Sequence, residues 1–378
     1  MSTSPAPQPG DPLGELRARI DALDEQLIAL ISERGRLAAE IGRIKAQAGT
    51  PVYAPDREAV ILQRLRARNP GPFPDSVLQA VYRELMSGSF LLERPPRIAY
   101  LGPPGSFSHQ AAGGKFGASV HYEPVADIAA VFAEVDRGHA DFGVVPVENS
   151  LGGGIVDTLD AFADYHQVRV CAEVLRRIHH HLMAQRPLHE LKHIYSKPEV
   201  FEQCKLWLLE TGLLGSTIPV ASTSKAAELA RDDPQAGAIG SALAAEIYGL
   251  PIQVERVEDS PNNVTRFLVL GREPARPTGD DKTALMFCTT HEAGALVGVL
   301  DVFRRERVNL SMIMSRPNRQ RNWQYRFFID CDGHASEGPI ARALEGARPF
   351  CADLTVLGSF PRALEACLLY TSPSPRDS

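Results

Sequence analysis

Three observations predict a multidomain chain: an all-α three-helix unit, a two-lobed α/β unit, and an α+β ferredoxin-like unit. Apolar residues recur at four-three spacing from Leu16 to Ile44. From Arg97 onward, short apolar strands alternate with helical runs. After residue 282 the elements read βαββαβ. A chain of 378 residues accommodates about two or three domains.

The first helix carries a heptad seam: Leu16, Ile20, Leu23, Leu27, Leu30, Arg34, Leu37, Ile41 and Ile44. It stops at Gly49-Thr50-Pro51. Arg34 is the one seam position that is not apolar. A guanidinium facing a packed interface needs an anion, because burying it unpaired is costly. Either a Glu on a neighbouring helix or a bound carboxylate would serve. Lys45 lies three turns on, near the same face, and Arg17 lies near the start. Arg17 and Arg34 stand roughly 25 Å apart along one helix. If both hold one small ligand, they must come from two copies of the chain, and the seam independently asks for a partner helix. Two shorter helices follow. Asp56 to Arg68 has Arg57 and Glu58 in its first turn, and Asp75 to Glu93 ends with Ser89 and Glu93 one turn apart.

Expected boundaries are 1–12 for a disordered leader, 13–94 for the helical unit, 97–272 for the α/β unit and 282–362 for the α+β unit. Residues 365–378 break the pattern and read as a non-native tail. In the α/β unit, YLGPPGSFSHQAA puts a Gly-rich turn before a helix but lacks GxGxxG and a Walker lysine, so no nucleotide site is expected. FGVVPVENSLGGG ends an apolar strand in Glu148-Asn149-Ser150. These polar groups either cap a turn or face a ligand. His179-His180-His181 alternate across a strand and cannot chelate one ion together, which leaves His180 as the one to face a cleft. Ser196-x-x-Glu199 scores as a helix capping box. VEDSPNNVTRFLVL reads as strand, turn, strand, with Thr265 and Arg266 at the lip of the second. There Arg266 either meets a ligand carboxylate or is a solvated charge at a strand start.

Composition narrows the function. The net charge of −6 gives no case for nucleic acid or an anionic membrane as partner, and no apolar run approaches a membrane span. The N-terminus lacks the features of a secretory signal. The six cysteines form no CxxC pair and read as reduced thiols, so a cytoplasmic location is expected, with no metal and no cofactor.

The run LRARIDALDEQLIALISERGRLAAEIGRIK, followed by PVYAPDRE, resembles the all-helical chorismate mutase domain, an intertwined dimer. The resemblance implies that Arg17 of one protomer and Arg34 of the other bind the substrate carboxylates. It puts Lys45 and Glu93 at the ether oxygen, Arg57 and Glu58 near the ring hydroxyl, and Ser89 at a further binding position. Ala54 stands where many members have Asp, and Glu93 where others have Gln. GPPGSFSHQAA, VVPVENSLGGG, YSKPEVFEQC, STSKAAELA, AIGSALAAEIYGL and DSPNNVTRF together resemble prephenate dehydratase. That resemblance implies Thr265 as the catalytic residue and Glu148, Asn149, His180, Gln203 and Arg266 as substrate-binding. Lys197-Pro198-Glu199 departs from the His-Pro-Gln of many members. HEAGALVGVLDVF, VNLSMIMSRP and YRFFIDCDGH resemble an ACT regulatory domain, implying a phenylalanine site at Gly294, Ala295, Leu296, Ser315 and Arg316 between subunits. Here too there are departures, Ala293 and Met314. The reading is a homodimeric bifunctional enzyme of phenylalanine synthesis acting on chorismate and prephenate. A dehydratase-only enzyme and a non-catalytic two-lobed sensor are the alternatives.

Overall fold

The computed structural model describes residues 12–318 and 324–363. Residues 1–11 of the expected leader and the tail at 365–378 lie outside them. The first unit is α1 (Pro12–Ala48), α2 (Pro55–Arg68) and α3 (Asp75–Glu93). α1 runs unbroken because it holds no Pro after its first residue. Gly42 is where α3 crosses: a Cβ there would collide with the Glu93 side chain. The seam is left bare. Leu16, Ile20, Leu23, Leu27, Leu30, Leu37, Ile41 and Ile44 are each half exposed or more.

The second unit begins with β1 (Arg97–Leu101), α4 (Phe107–Phe116), β2 (His121–Val125), α5 (Ile128–Asp136), β3 (Phe142–Asn149), β4 (Gly153–Gly154), α6 (Val156–Ala161) and β5 (Arg169–Arg177). The chain then crosses to a second lobe. This lobe contains β6 (His181–Ala184), β7 (His193–Ser196), α7 (Pro198–Gln203), α8 (Lys205–Glu210), β8 (Thr217–Pro219), α9 (Thr223–Asp232), β9 (Ala236–Gly240), α10 (Ala242–Tyr248) and β10 (Ile252–Val254). It returns through β11 (Val264–Gly271), which inserts antiparallel between β3 and β5 in the sheet β2-β1-β3-β11-β5. The second sheet runs β10-β6-β9-β7-β8. The two crossings pair with each other: Val257 N–H donates to His180 O at 2.8 Å and Ile178 N–H to Asn263 O at 2.8 Å.

Pro198 to Glu210 forms two short helices broken at Cys204, and α6 ends at Ala161. One local expectation is corrected. Ser196 caps nothing: Lys197 takes the cap position without a side-chain bond, and the buried Ser196 hydroxyl donates to Ile239 O at 2.7 Å. That buried carbonyl needed a donor, and a hydroxyl pointing inward from β7 reaches it.

The third unit is β12 (Asp281–Thr289), α11 (Ala295–Arg305), β13 (Leu310–Pro317), β14 (Tyr325–Asp332), α12 (Gly338–Ala347) and β15 (Cys351–Pro361). Its antiparallel order β13-β14-β12-β15 is the ferredoxin-like arrangement. It does not stand apart. Ala284, Met286, Phe328, Leu357 and Phe360 share one core with Phe162, Val170, Leu268 and Leu270 of the second unit. The helical unit docks as well. Tyr53 is buried edge-on against Phe116 and Phe142, and Ser119 N–H donates to Ser87 Oγ at 2.8 Å.

Candidate active sites

The helical groove lies between α1 and α3. Arg34 Nη1 donates to Ser89 Oγ at 2.7 Å and to Leu85 O at 3.1 Å. Ser89 in turn donates to Leu85 O at 2.8 Å, so its oxygen is oriented to accept from the guanidinium. The seam arginine therefore meets neutral acceptors and no carboxylate among the described residues. A guanidinium with neutral partners at a cavity wall retains its charge for a ligand. Further along, Lys45 Nζ donates to Val52 O at 2.6 Å and lies 3.4 Å from Glu93 Oε2. Arg57 is exposed at the rim of the groove. Glu58, expected near the ring hydroxyl, also lines the groove. It is buried, accepts from Tyr53 Oη at 2.7 Å, and lies 2.7 Å from Lys115 Nζ of α4. Burial, with Glu58 close by, pushes the Tyr53 phenol well above its ordinary value, so it stays a donor. Arg17 is exposed, remote on α1, and meets none of these groups.

The second site is where β11 re-enters the first lobe. Asn149, Thr265 and Arg176 are register partners on three adjacent strands and so lie on one sheet face. The polar chain there can be oriented atom by atom. Asn149 Oδ1 accepts from Leu151 N–H at 3.0 Å and Gly152 N–H at 2.8 Å. Its Nδ2 must therefore donate, and it does so to Thr265 Oγ1 at 2.9 Å and Asn263 Oδ1 at 2.8 Å. Asn263 Nδ2 then donates to Gln203 Oε1 at 3.0 Å. Because that oxygen only accepts, the His180 Nε2 that lies 2.8 Å from it carries the proton. Burial lowers the His180 pKa, which keeps the imidazole neutral. The chain joins β3 and β11 of one lobe to α7 of the other. Its terminal fact concerns Thr265: the hydroxyl oxygen accepts from Asn149, leaving its own proton to give.

Two site expectations are corrected by strand alternation. Arg266 points to the opposite face from Thr265. Its Nε donates to Glu173 Oε2 at 2.7 Å, and its Nη1 pairs with Asp330 of β14. Lys282 Nζ adds to the cluster, 3.2 Å from Glu173 Oε1. Arg266 is thus satisfied by protein carboxylates rather than placed for a ligand. Glu148 is the register partner of Arg266, so it too lies on that face. Asn263, by contrast, was read from the sequence as turn chemistry alone. The only signal of its role was the side chain's capacity to donate and accept at once.

The Gly-rich turn of GPPGSF is a contact between lobes. Gly105 has φ +85°, and a Cβ there would press on Ala244 Cα at 3.0 Å. Ser241 caps α10 and donates to Gly105 O at 2.7 Å. In the third unit, Gly294 precedes α11, after β12, while Ser315 and Arg316 lie on β13 with β14 between. Arg316 Nη2 reaches Asp160 of α6 at 3.4 Å.

A helical cationic groove joined to a two-lobed α/β cleft with a hydroxyl donor at its hinge defines a two-site protein. Residues 16–94 match the chorismate mutase type II family, and residues 98–275 match the prephenate dehydratase family. A bifunctional chorismate mutase/prephenate dehydratase of Aquifex aeolicus is 41% identical over 93% of this chain and 98% of its own length. That of Stutzerimonas stutzeri is 41% identical over 94% of this chain and 99% of its own. The solved prephenate dehydratase of Arthrobacter aurescens in complex with L-Phe is 35% identical, with TM-score 0.66, over 71% of this chain and 90% of that one. The chain belongs to the bifunctional chorismate mutase/prephenate dehydratase family. Among the described residues, no helix is long and apolar enough to cross a membrane.

Proposed function

We propose that the chain rearranges chorismate to prephenate in the helical groove and converts prephenate to phenylpyruvate in the two-lobed cleft. The coexistence of the Arg34–Ser89 and Lys45–Glu93 pairs with the Asn149–Thr265 bond carries this reading. The first reaction is a concerted shift that needs no nucleophile. It needs a dianion held compact and charge stabilised on the breaking ether oxygen. Arg34, Arg57 and Ser89 hold the substrate; Lys45 and Glu93 face the ether oxygen. Arg17 arrives from a second copy, and the bare apolar seam of α1 supports such an intertwined homodimer. Glu58, paired with Tyr53 and Lys115 on the groove wall, lies near the ring hydroxyl of the bound substrate.

A carboxyl donates a hydrogen bond only when protonated. Mutase activity is therefore expected to rise toward acid pH, and Glu93→Gln to flatten that dependence. A pH–rate profile that the substitution leaves unchanged counts against Glu93 as donor.

In the second reaction the ring carboxylate leaves as carbon dioxide, and its bonding pair enters the ring. The ring hydroxyl departs with a proton as water, and aromatisation drives the step. Thr265 donates to the departing oxygen; Asn149, with Asn263, Gln203 and His180 behind it, fixes the hydroxyl. The units are proposed at 13–94, 97–272 and 282–362, the last as an ACT domain. Phenylalanine binds it at Gly294-Ala295-Leu296 of one copy and Ser315-Arg316 of another, as the separation of β12 from β13 by β14 supports. One assay tests the scheme: supply chorismate and follow its loss and phenylpyruvate appearance, with and without millimolar phenylalanine. Both activities and inhibition are expected. If phenylalanine neither binds nor inhibits, the third unit serves dimerisation alone.

A further inference from the structure

Between the helical unit and the edge strand β5 lies a cavity of about 630 Å³, separate from the cleft behind Thr265. Arg83 of α3 and Arg176 of β5 line it from opposite units, with Arg177 beside them. Their charges are poorly answered. Arg176 Nε meets the neutral Gln110 Oε1 at 3.3 Å, and Arg177 Nη1 meets Pro261 O at 3.4 Å. Arg177 Nε is buried with no acceptor. Neither arginine pairs with a carboxylate among the described residues, and Arg83 has its sequence neighbour Glu84 at 3.0 Å. The carboxylates on the wall are engaged elsewhere: Glu58 by Tyr53 and Lys115, Glu173 by Arg266 and Lys282, Glu258 by His179. Burial lowers the Arg176 pKa, and Arg83 lowers it further. Two guanidiniums that repel across a cavity are relieved by an anion between them.

The cavity shares a wall with the helical groove and reaches the sheet face that carries Thr265. It shares Pro55, Glu58, Arg83, Met86 and Lys115 with the helical groove, so the Glu58–Lys115 pair stands on a common wall. At its other end Arg176 is the register partner of Thr265, on the same sheet face. The molecule common to both reactions is a compact dicarboxylate.

We propose that this junction cavity is a binding site for the dicarboxylate prephenate in transit, with Arg83 and Arg176 as opposed carboxylate partners. Its use is to retain the first product until the cleft takes it. The proposal rests on the two-reaction reading.

Isotope dilution tests it with the full chain. Labelled chorismate is supplied with a large excess of unlabelled prephenate, and the specific label of phenylpyruvate is compared with that of the bulk prephenate pool. In the unsubstituted protein, phenylpyruvate is expected to carry several-fold more label than the pool. Arg83→Gln, on a partly exposed side chain, should bring it down to the pool value, with each reaction assayed singly staying within about twofold. Product at pool value in the unsubstituted protein overturns the proposal. So does undiminished retention in the variant. Failure of the two-reaction reading looks different: no labelled prephenate forms, or added prephenate gives no phenylpyruvate.

Discussion

Thr265→Ala is expected to lower phenylpyruvate formation from prephenate by about 10²- to 10³-fold, the usual cost of deleting one donor aimed at developing charge. Chorismate consumption should continue, because the helical groove uses none of the residues around Thr265. The donor direction at Thr265 sets the sign of the effect. Asn149 Oδ1 is occupied by two backbone N–H groups, so its amide nitrogen must donate to Thr265. A hydroxyl that already accepts has its proton left for the leaving oxygen. Thr265→Ser keeps that donor and should retain much of the rate, whereas a hydroxyl acting only as packing would make Ser and Ala behave alike. Phenylpyruvate formation persisting in the Ala variant would sink the assignment.

The parts of this fold that were legible were those written in periodicity. The α1 seam announced its helix, and every apolar seam residue is left bare. βαββαβ order after residue 282 gave the third unit its sheet. What sequence reading missed depended on which way a side chain turns. Thr265 and Arg266 are adjacent in the chain, yet the pleat sends them to opposite faces, one to the cleft and one to the third unit. Ser196 satisfied a capping pattern, but a buried carbonyl on a neighbouring strand captured its hydroxyl. The ion pair of Glu58 with Lys115 likewise forms only when α4 docks onto the helical unit. In each case the deciding partner lies in another element, and no local spacing encodes it.

Arg266→Met should destabilise the protein by about 3–5 kcal/mol, the cost of breaking a buried charge pair from one side. The substitution keeps much of the side-chain volume but strands Glu173 and Asp330, both almost fully buried, with Lys282 and the Ala363 N–H left to answer Glu173. Chemical denaturation at neutral pH measures the loss. The acid dependence then separates this account from a substrate-binding role. Burial raises the Glu173 pKa, but Arg266 and Lys282 outweigh it and hold the carboxyl below its ordinary value. A depressed folded pKa gives stability that is present above the unfolded value of about 4.3 and lost as pH falls through the folded one. Asp330 is already raised by burial, which Arg266 only partly offsets. Without Arg266, both carboxyls should take up protons at higher pH than before, and neutral carboxyls no longer repel. The gap between Arg266→Met and the unsubstituted protein should therefore narrow on acidification toward pH about 4. A gap independent of pH, or a variant of unaltered stability whose only defect is a raised KM for prephenate, would return Arg266 to the ligand.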